Sequence, residues 1–313
     1  MKSKTGVSGV IATEGVRRRM TDGSFAAPTA RERRVEQNRR KLELLLDSLF
    51  RPGNWAAMLA HSLGLQGRIR ASATSLCLRA ATIVERRPLK IAFASDFHAG
   101  ATTHPKLLAD ACAAMREFHP HVLLLGGDFV SVRASYIDRI TTLLASIDAP
   151  FGKFAVLGNH DLRADHRRVV SELERAGIRM ITNQHVTLAH PFEDITICGL
   201  DDPTRGTPRA DHALDGVAGT RIVLMHSPEG LSAIGDRRFD LAFAGHTHGG
   251  QVALPSGTPV LVPGGHLNRV YCSGCFQIGS AGPRMLLVSR GVGCSTIPIR
   301  LFAAPEVHLC LIS

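Results

Sequence analysis

With 313 residues, a hydrophobic share of 44% and a mean hydropathy of +0.06, the chain is large enough for one extensive core or two and too apolar for a disordered polymer. Its formal charge of +10 is gathered at one end, since 18 of the 37 Lys and Arg but only seven of the 27 Asp and Glu fall within residues 1–90. The near-neutral remainder argues against a protein that grips duplex nucleic acid through its catalytic face, and the seven scattered cysteines argue against a disulfide framework and for a reducing compartment.

Arg17-Arg18-Arg19 is followed by Thr, Asp, Gly and Ser rather than an apolar region, so an export signal is not expected. Residues 1–30, rich in small and polar types, read as a disordered basic tail. Residues 31–88 read as a basic helical segment. Its helix over Arg31–Phe50 carries Val35, Leu42, Leu45, Leu46 and Leu49 among basic residues and ends at Pro52-Gly53. Residues 31–50 can lie on an anionic membrane surface, or the helix can dock on the following domain with its basic face solvated. No apolar stretch reaches the roughly 18–20 residues of a spanning helix, and Trp55–Gly67 is both short and broken by His61, Ser62 and Gly64. The expected location is cytoplasmic, with peripheral attachment to the inner face of a membrane as an extension of the same reading.

From residue 89 to 313 short apolar runs alternate with amphipathic stretches. Helices are predicted over Pro105–Phe118, Tyr136–Ile147 and His166–Ala176, from apolar residues at helical spacing. Past Gly177 short strands dominate, among them Ile195–Cys198, Met285–Ser289 and Val307–Ile312, and suggest a second sheet packed on the first. The lone Cys272-Ser-Gly-Cys275 pair reads as two incidental thiols.

Five apolar runs each end on a polar motif. Ile91–Ser95 precedes Asp96-Phe97-His98, Val122–Leu125 precedes Gly126-Gly127-Asp128, and Phe154–Leu157 precedes Gly158-Asn159-His160-Asp161. Ile222–Met225 then leads to His226, and Leu241–Ala244 leads to Gly245-His246-Thr247-His248-Gly249-Gly250. Such runs read as buried strands, and residues just past parallel strands share one rim of a sheet. Two carboxylates, an amide and four imidazoles besides His160 are more donors than one cation can use, so a binuclear hydrolase is the first hypothesis.

Those five motifs in that order resemble the calcineurin-like metallophosphoesterase superfamily, over about Leu89 to Ile312. The resemblance implies an α/β (α+β) fold, a four-layer β-sandwich flanked by helices, of the metallo-dependent phosphatase type. It implies that Asp96 and His98 hold a first metal, that Asp128 bridges both, that Asn159 and His226 hold the second, and that His246 completes the second and His248 the first. The two divalent ions would be Mn, Fe or Zn, and a metal-bridged hydroxide would attack a phosphoester. His160 is assigned to the substrate side as the catalytic acid. Asp161 either orients it on that side or caps a helix, and Arg205 in the Asp201–Gly206 loop is a candidate phosphate contact. Ser131, three residues past the bridging position, is not the tyrosine of purple acid phosphatases, and Asp161 is not the glutamate of protein phosphatases. The form ending at Gln251 is most similar to small bacterial phosphodiesterases. A DNA-processing metallonuclease and a lipid-linked nucleotide-sugar pyrophosphatase are the alternatives.

Overall fold

A computed structural model of the chain describes residues 30–78, 88–279 and 284–313, and the tail expectation for the first 29 residues lies outside the described residues. Two mixed six-stranded sheets face each other. In the first, the spatial order is β1 (Arg70–Leu76), β12 (Glu306–Ile312), β2 (Leu89–Ala94), β3 (Val122–Leu125), β4 (Lys153–Ala155) and β5 (Arg179–Met180). In the second it is β10 (Gly274–Ile278), β11 (Arg284–Val288), β9 (Leu241–Ala244), β8 (Thr220–Leu224), β7 (Ile195–Gly199) and β6 (His185–Thr187).

The two-residue period of a strand explains why the runs are apolar throughout. Ile91 and Phe93 of β2, Val122 and Leu124 of β3, and Leu241 and Phe243 of β9 enter the core between the sheets, where the rings of Phe93 and Phe243 meet at 4.9 Å. Their neighbours point the other way. Ala92, Ala94, Leu123 and Leu125 pack against helices Pro105–Glu117 and His166–Arg175, while Val223, Ala242 and Ala244 pack against helices on the outer side of the second sheet. Three cores therefore separate four layers, helices outside and sheets within, as the resemblance implies.

Two sequence expectations change in detail. The helix expected over Tyr136–Ile147 is divided at Ile140, with a 3-10 turn over Ala134–Arg139 and a short helix over Thr141–Ala145. Within the segment read as helical, Arg70–Leu76 instead forms β1, which pairs parallel with β12 from Arg70 opposite Glu306 to Leu76 opposite Ile312. The helix expected from Arg31 is present over Ala30–Phe50, though the side chains of Arg31, Arg33 and Arg39 lie outside the described residues. Among the described residues no helix is long and apolar enough to cross a membrane.

Strands β2, β3 and β4 run parallel, as do β7, β8 and β9. Each polar motif starts at most a few residues past its strand, and the parallel runs carry all five to one end of the sandwich.

Candidate metal centre

Five loops from both sheets bring the expected donors together in two overlapping groups. Around the first, His98 Nε2 lies 3.0 Å from His248 Nε2 and 3.5 Å from Asp128 Oδ2, and His248 Nε2 lies 3.5 Å from Asp96 Oδ1. Around the second, His226 Nε2 lies 3.4 Å from the same Asp128 Oδ2, 3.2 Å from Asn159 Oδ1 and 3.1 Å from His246 Nδ1. One carboxylate oxygen belongs to both groups, and all seven side chains are buried or nearly so.

The backbone is distorted to achieve this. Asp96, His98, Asp128, His246 and His248 all adopt positive φ, between 41° and 70°. Non-glycine residues in this region cost on the order of 1 kcal/mol or more each, and such strain gathers at functional sites. Glycine is required beside two of them. A Cβ on Gly158 would collide with the Asp128 carboxylate, and one on Gly245 with the Asp96 carboxylate.

Further hydrogen bonds orient His226, Asp96 and Asp128. His226 Nδ1 pairs with the Gly126 carbonyl at 2.7 Å, which turns its Nε2 inward. Asp96 accepts from the Ser95 hydroxyl at 2.6 Å and from the His246 N–H at 3.0 Å. The His160 N–H donates to Asp128 Oδ1 at 2.8 Å.

Burial is the largest influence on the charges here. It takes His98 well below the ordinary imidazole value, reinforced by His160, and takes His248 well below it, reinforced by His98 and Arg300, so both rings are neutral. It pushes Asp96 up to about 6 against the pull of His226. Burial would also raise Asp128, but His226 and His160 outweigh it and hold that carboxyl well below its usual range. Conversely, burial would lower His226, and Asp128, with Asp96 and Asp202, carries it well above. Imidazoles, ionisable carboxylates and an amide oxygen, with no thiolate among them, form a donor set that fits divalent cations.

Comparison with known proteins agrees with this chemistry. Residues 89–250 match the model of the calcineurin-like phosphoesterases. Phosphodiesterase YaeI of Escherichia coli is 33% identical over 229 residues, which are 71% of this chain and 81% of the relative. An uncharacterized metallophosphoesterase of Bacillus subtilis, YkuE, is 31% identical over 224 residues, 70% of this chain and 77% of the relative. The chain belongs to the calcineurin-like phosphoesterase family. A third relative, the UDP-2,3-diacylglucosamine pyrophosphatase LpxG of Chlamydia muridarum, is 25% identical over 279 residues, covering 70% of this chain and 82% of its own.

As a member of that family the chain is a phosphoester hydrolase that uses divalent metal. In this phosphoesterase the His160 ring lies 4.7 Å from that of His98, its Nδ1 pairs with the Ser131 carbonyl at 2.6 Å, and with His98 and Asp128 it forms a third group close enough to hold a cation. Asp161 is buried and engaged by two backbone donors. Its Oδ1 accepts from Val130 N–H at 3.1 Å and its Oδ2 from Gly158 N–H at 3.0 Å, so it caps its helix and ties two metal-centre loops together. Arg205 lies exposed on the loop held by Asp202, whose Oδ1 accepts from the N–H of Thr204 and of Arg205. Cys272 and Cys275, read as incidental thiols, are free.

Three residues bearing on the centre went unassigned in the sequence. Ser95 supports Asp96 as described. Asp202 is buried near His226, with burial raising its pKa to about 6. Arg300, also buried, places Nη2 3.1 Å from His248 Nδ1 and donates to the carbonyls of Arg290 and Gly293 at 2.8 and 2.6 Å. Ser95 adjoins a motif and was legible from position, whereas Arg300 lies 52 residues beyond His248 in a stretch without one.

Proposed function

We propose that the chain is a binuclear metal-dependent phosphodiesterase. Asp96, His98, Asp128 and His248 would hold one cation, and Asp128, Asn159, His226 and His246 the other, with Mn, Fe or Zn suited to the N and O donors. When bound, the pair would polarise phosphoryl oxygens and acidify a water for in-line attack near neutral pH. The observation that carries the reading is Asp128 Oδ2, within 3.5 Å of His98 Nε2 and 3.4 Å of His226 Nε2, where one carboxylate serves two donor groups.

The chain's own residues supply orientation and proton transfer. With Nδ1 held by the Ser131 carbonyl, His160 has Nε2 free to exchange a proton with a phosphoryl or leaving-group oxygen, and the bond from its backbone N–H to Asp128 fixes the ring relative to the cluster. Arg205 would meet the substrate's phosphate from the loop that Asp202 anchors.

The name of the Escherichia coli relative supports diester over monoester substrates. The Chlamydia relative's name supports a second reading, a lipid-linked nucleotide-sugar pyrophosphate, which suits a basic segment at residues 31–50 resting on the cytoplasmic face of an anionic membrane. The neutral catalytic half disfavours a DNA-processing nuclease. The deciding experiment loads the full chain with each metal, counts metal atoms per chain, and compares hydrolysis of a chromogenic diester, a chromogenic monoester, a UDP-linked diacyl sugar and single-stranded DNA. Two metals with preference for the diester are expected. One metal, or preference for the monoester, would overturn the proposal.

A further inference from the structure

The Ala30–Phe50 helix reverses the usual arrangement of a surface helix. Its inward face carries carboxylates: Glu43 and Asp47 are buried, Glu43 paired with Arg163 at 3.3 Å and Asp47 with Arg133 at 2.7 Å, and Asp47 also accepts from the Tyr136 hydroxyl at 2.8 Å. Most of its leucines face out. Leu42, Leu45 and Leu49 recur at helical spacing and remain exposed, Leu45 by 66%. Single exposed leucines are ordinary on a soluble protein, but an ordered stripe of them marks an interaction surface.

The stripe continues past the helix. In the next helix, Trp55–Ser62, Trp55 and Met58 are exposed as well. The chain then reaches Leu65, whose carbonyl accepts from Arg300 N–H at 2.7 Å, next to the exposed Leu301 and Phe302. Leu301 in turn accepts from Ala253 N–H at 2.8 Å, in the turn that exposes Val260 and Leu261, the latter by 76%. Backbone hydrogen bonds thus tie together three segments that each carry exposed apolar side chains, called here the rim.

That rim borders the metal centre. Gln251, directly after the His246–Gly250 turn, bonds through Nε2 to the carbonyls of Ser295 and Ile297 at 3.0 Å. A small cavity under the N-terminal helix is lined by Glu43, Asp47, Ser131, His160 and Thr296, so the helix and the 295–302 loop both border the space beside His160.

Charge identifies the partner. Among the described side chains from 34 to 70, every exposed charge is positive: Arg34, Arg40, Lys41, Arg51, Arg68 and Arg70. A second copy of the chain would set these like charges against one another, whereas anionic headgroups neutralise them while the leucines enter the acyl boundary. We propose that the rim docks on an anionic phospholipid bilayer with the entrance to the metal centre facing the headgroups, so that the substrate is a phosphoester carried in the membrane. This deepens the reading of residues 31–50 as membrane-facing, and it adds the 253–261 and 297–302 loops to the contact.

The test uses the full chain and vesicles of phosphatidylcholine alone or mixed with phosphatidylglycerol. Trp55 is the only tryptophan in the chain, and it reports on the rim directly. Sedimentation with the anionic vesicles, reversed by salt, together with a blue shift of Trp55 emission, is the expected result. Leu45→Glu and Leu261→Glu, each at an exposed site, should weaken binding by about tenfold or more and leave hydrolysis of a soluble diester unchanged. Failure to sediment with Trp55 emission unmoved overturns the proposal, and so does light scattering that shows a dimer dispersed by either glutamate. Vesicle binding by a protein inactive on every diester would uphold the docking and remove the phosphodiesterase reading.

Discussion

His98 and His248, 150 residues apart in sequence, hold their Nε2 atoms 3.0 Å from each other in a buried pocket. Since burial keeps both rings neutral, two lone pairs would oppose each other there unless a proton or a cation stands between them. A cation is the better partner, because Asp96 and Asp128 supply negative charge within 3.5 Å of these nitrogens.

Stripping divalent metal with a chelator should therefore destabilise the fold as well as abolish turnover. A ligand present at a thousandfold its dissociation constant adds about 4 kcal/mol of stability, which in a domain of this size is on the order of 10 °C in Tm. Thermal melts with and without chelator read this, and Mn, Fe or Zn should each be tried for recovery. Superimposable melts would show that the cluster holds no metal tightly.

Asp128 and His160 should separate metal binding from chemistry. Asp128→Ala removes the one group common to both donor sets and should lower bound metal at both positions, read by elemental analysis after desalting. His160→Ala leaves all seven donors and should retain metal while turnover falls by about 100-fold or more, most severely with a poor leaving group. Equal rates for wild type and His160→Ala on a poor leaving group would remove the proton-transfer role.

The donor set was legible because each member follows an apolar run, and a parallel strand buried on both faces reads as an apolar run. The residues that steady the donors were not, because Arg300 and Asp202 act through tertiary proximity that no local pattern encodes. The same limit hid β1: in Arg70–Leu76 small residues alternate with polar ones, and their place in the sheet comes from pairing with β12 rather than from their own hydrophobicity. Residues 31–50 were legible as a helix, but its orientation was not. Ion pairing of Glu43 and Asp47 with Arg163 and Arg133, across 120 and 86 residues, turns the leucines outward.

Asp47→Ala tests that orientation. The change leaves Arg133 and the Tyr136 hydroxyl without their shared acceptor and should weaken docking of the helix by about 1–3 kcal/mol. Trypsin should then cut near Arg40, Lys41 and Arg51 sooner than in wild type, with the domain beyond the helix still resistant. Identical digestion time courses would mean that the helix is held by its other contacts.

Glu306 offers a pH-dependent contribution outside the metal centre. At the start of β12 its Oε1 accepts from Arg290 N–H at 2.8 Å and lies 3.2 Å from His308 Nε2, while Oε2 accepts from Arg290 Nη1 at 2.9 Å. Burial would raise its pKa, but the His308 contact and Arg290 outweigh it and hold the carboxyl at about 2, against an ordinary value of 4.5. Because the folded value is the lower one, the stabilisation is complete above about 4.5 and is lost as pH falls through about 2. Glu306→Gln should therefore cost about 2 kcal/mol in urea unfolding at neutral pH, and the gap from wild type should shrink to roughly half or less near pH 3. A gap of the same size at both pH values would mean that packing around β12, rather than the ionised carboxylate, accounts for the loss.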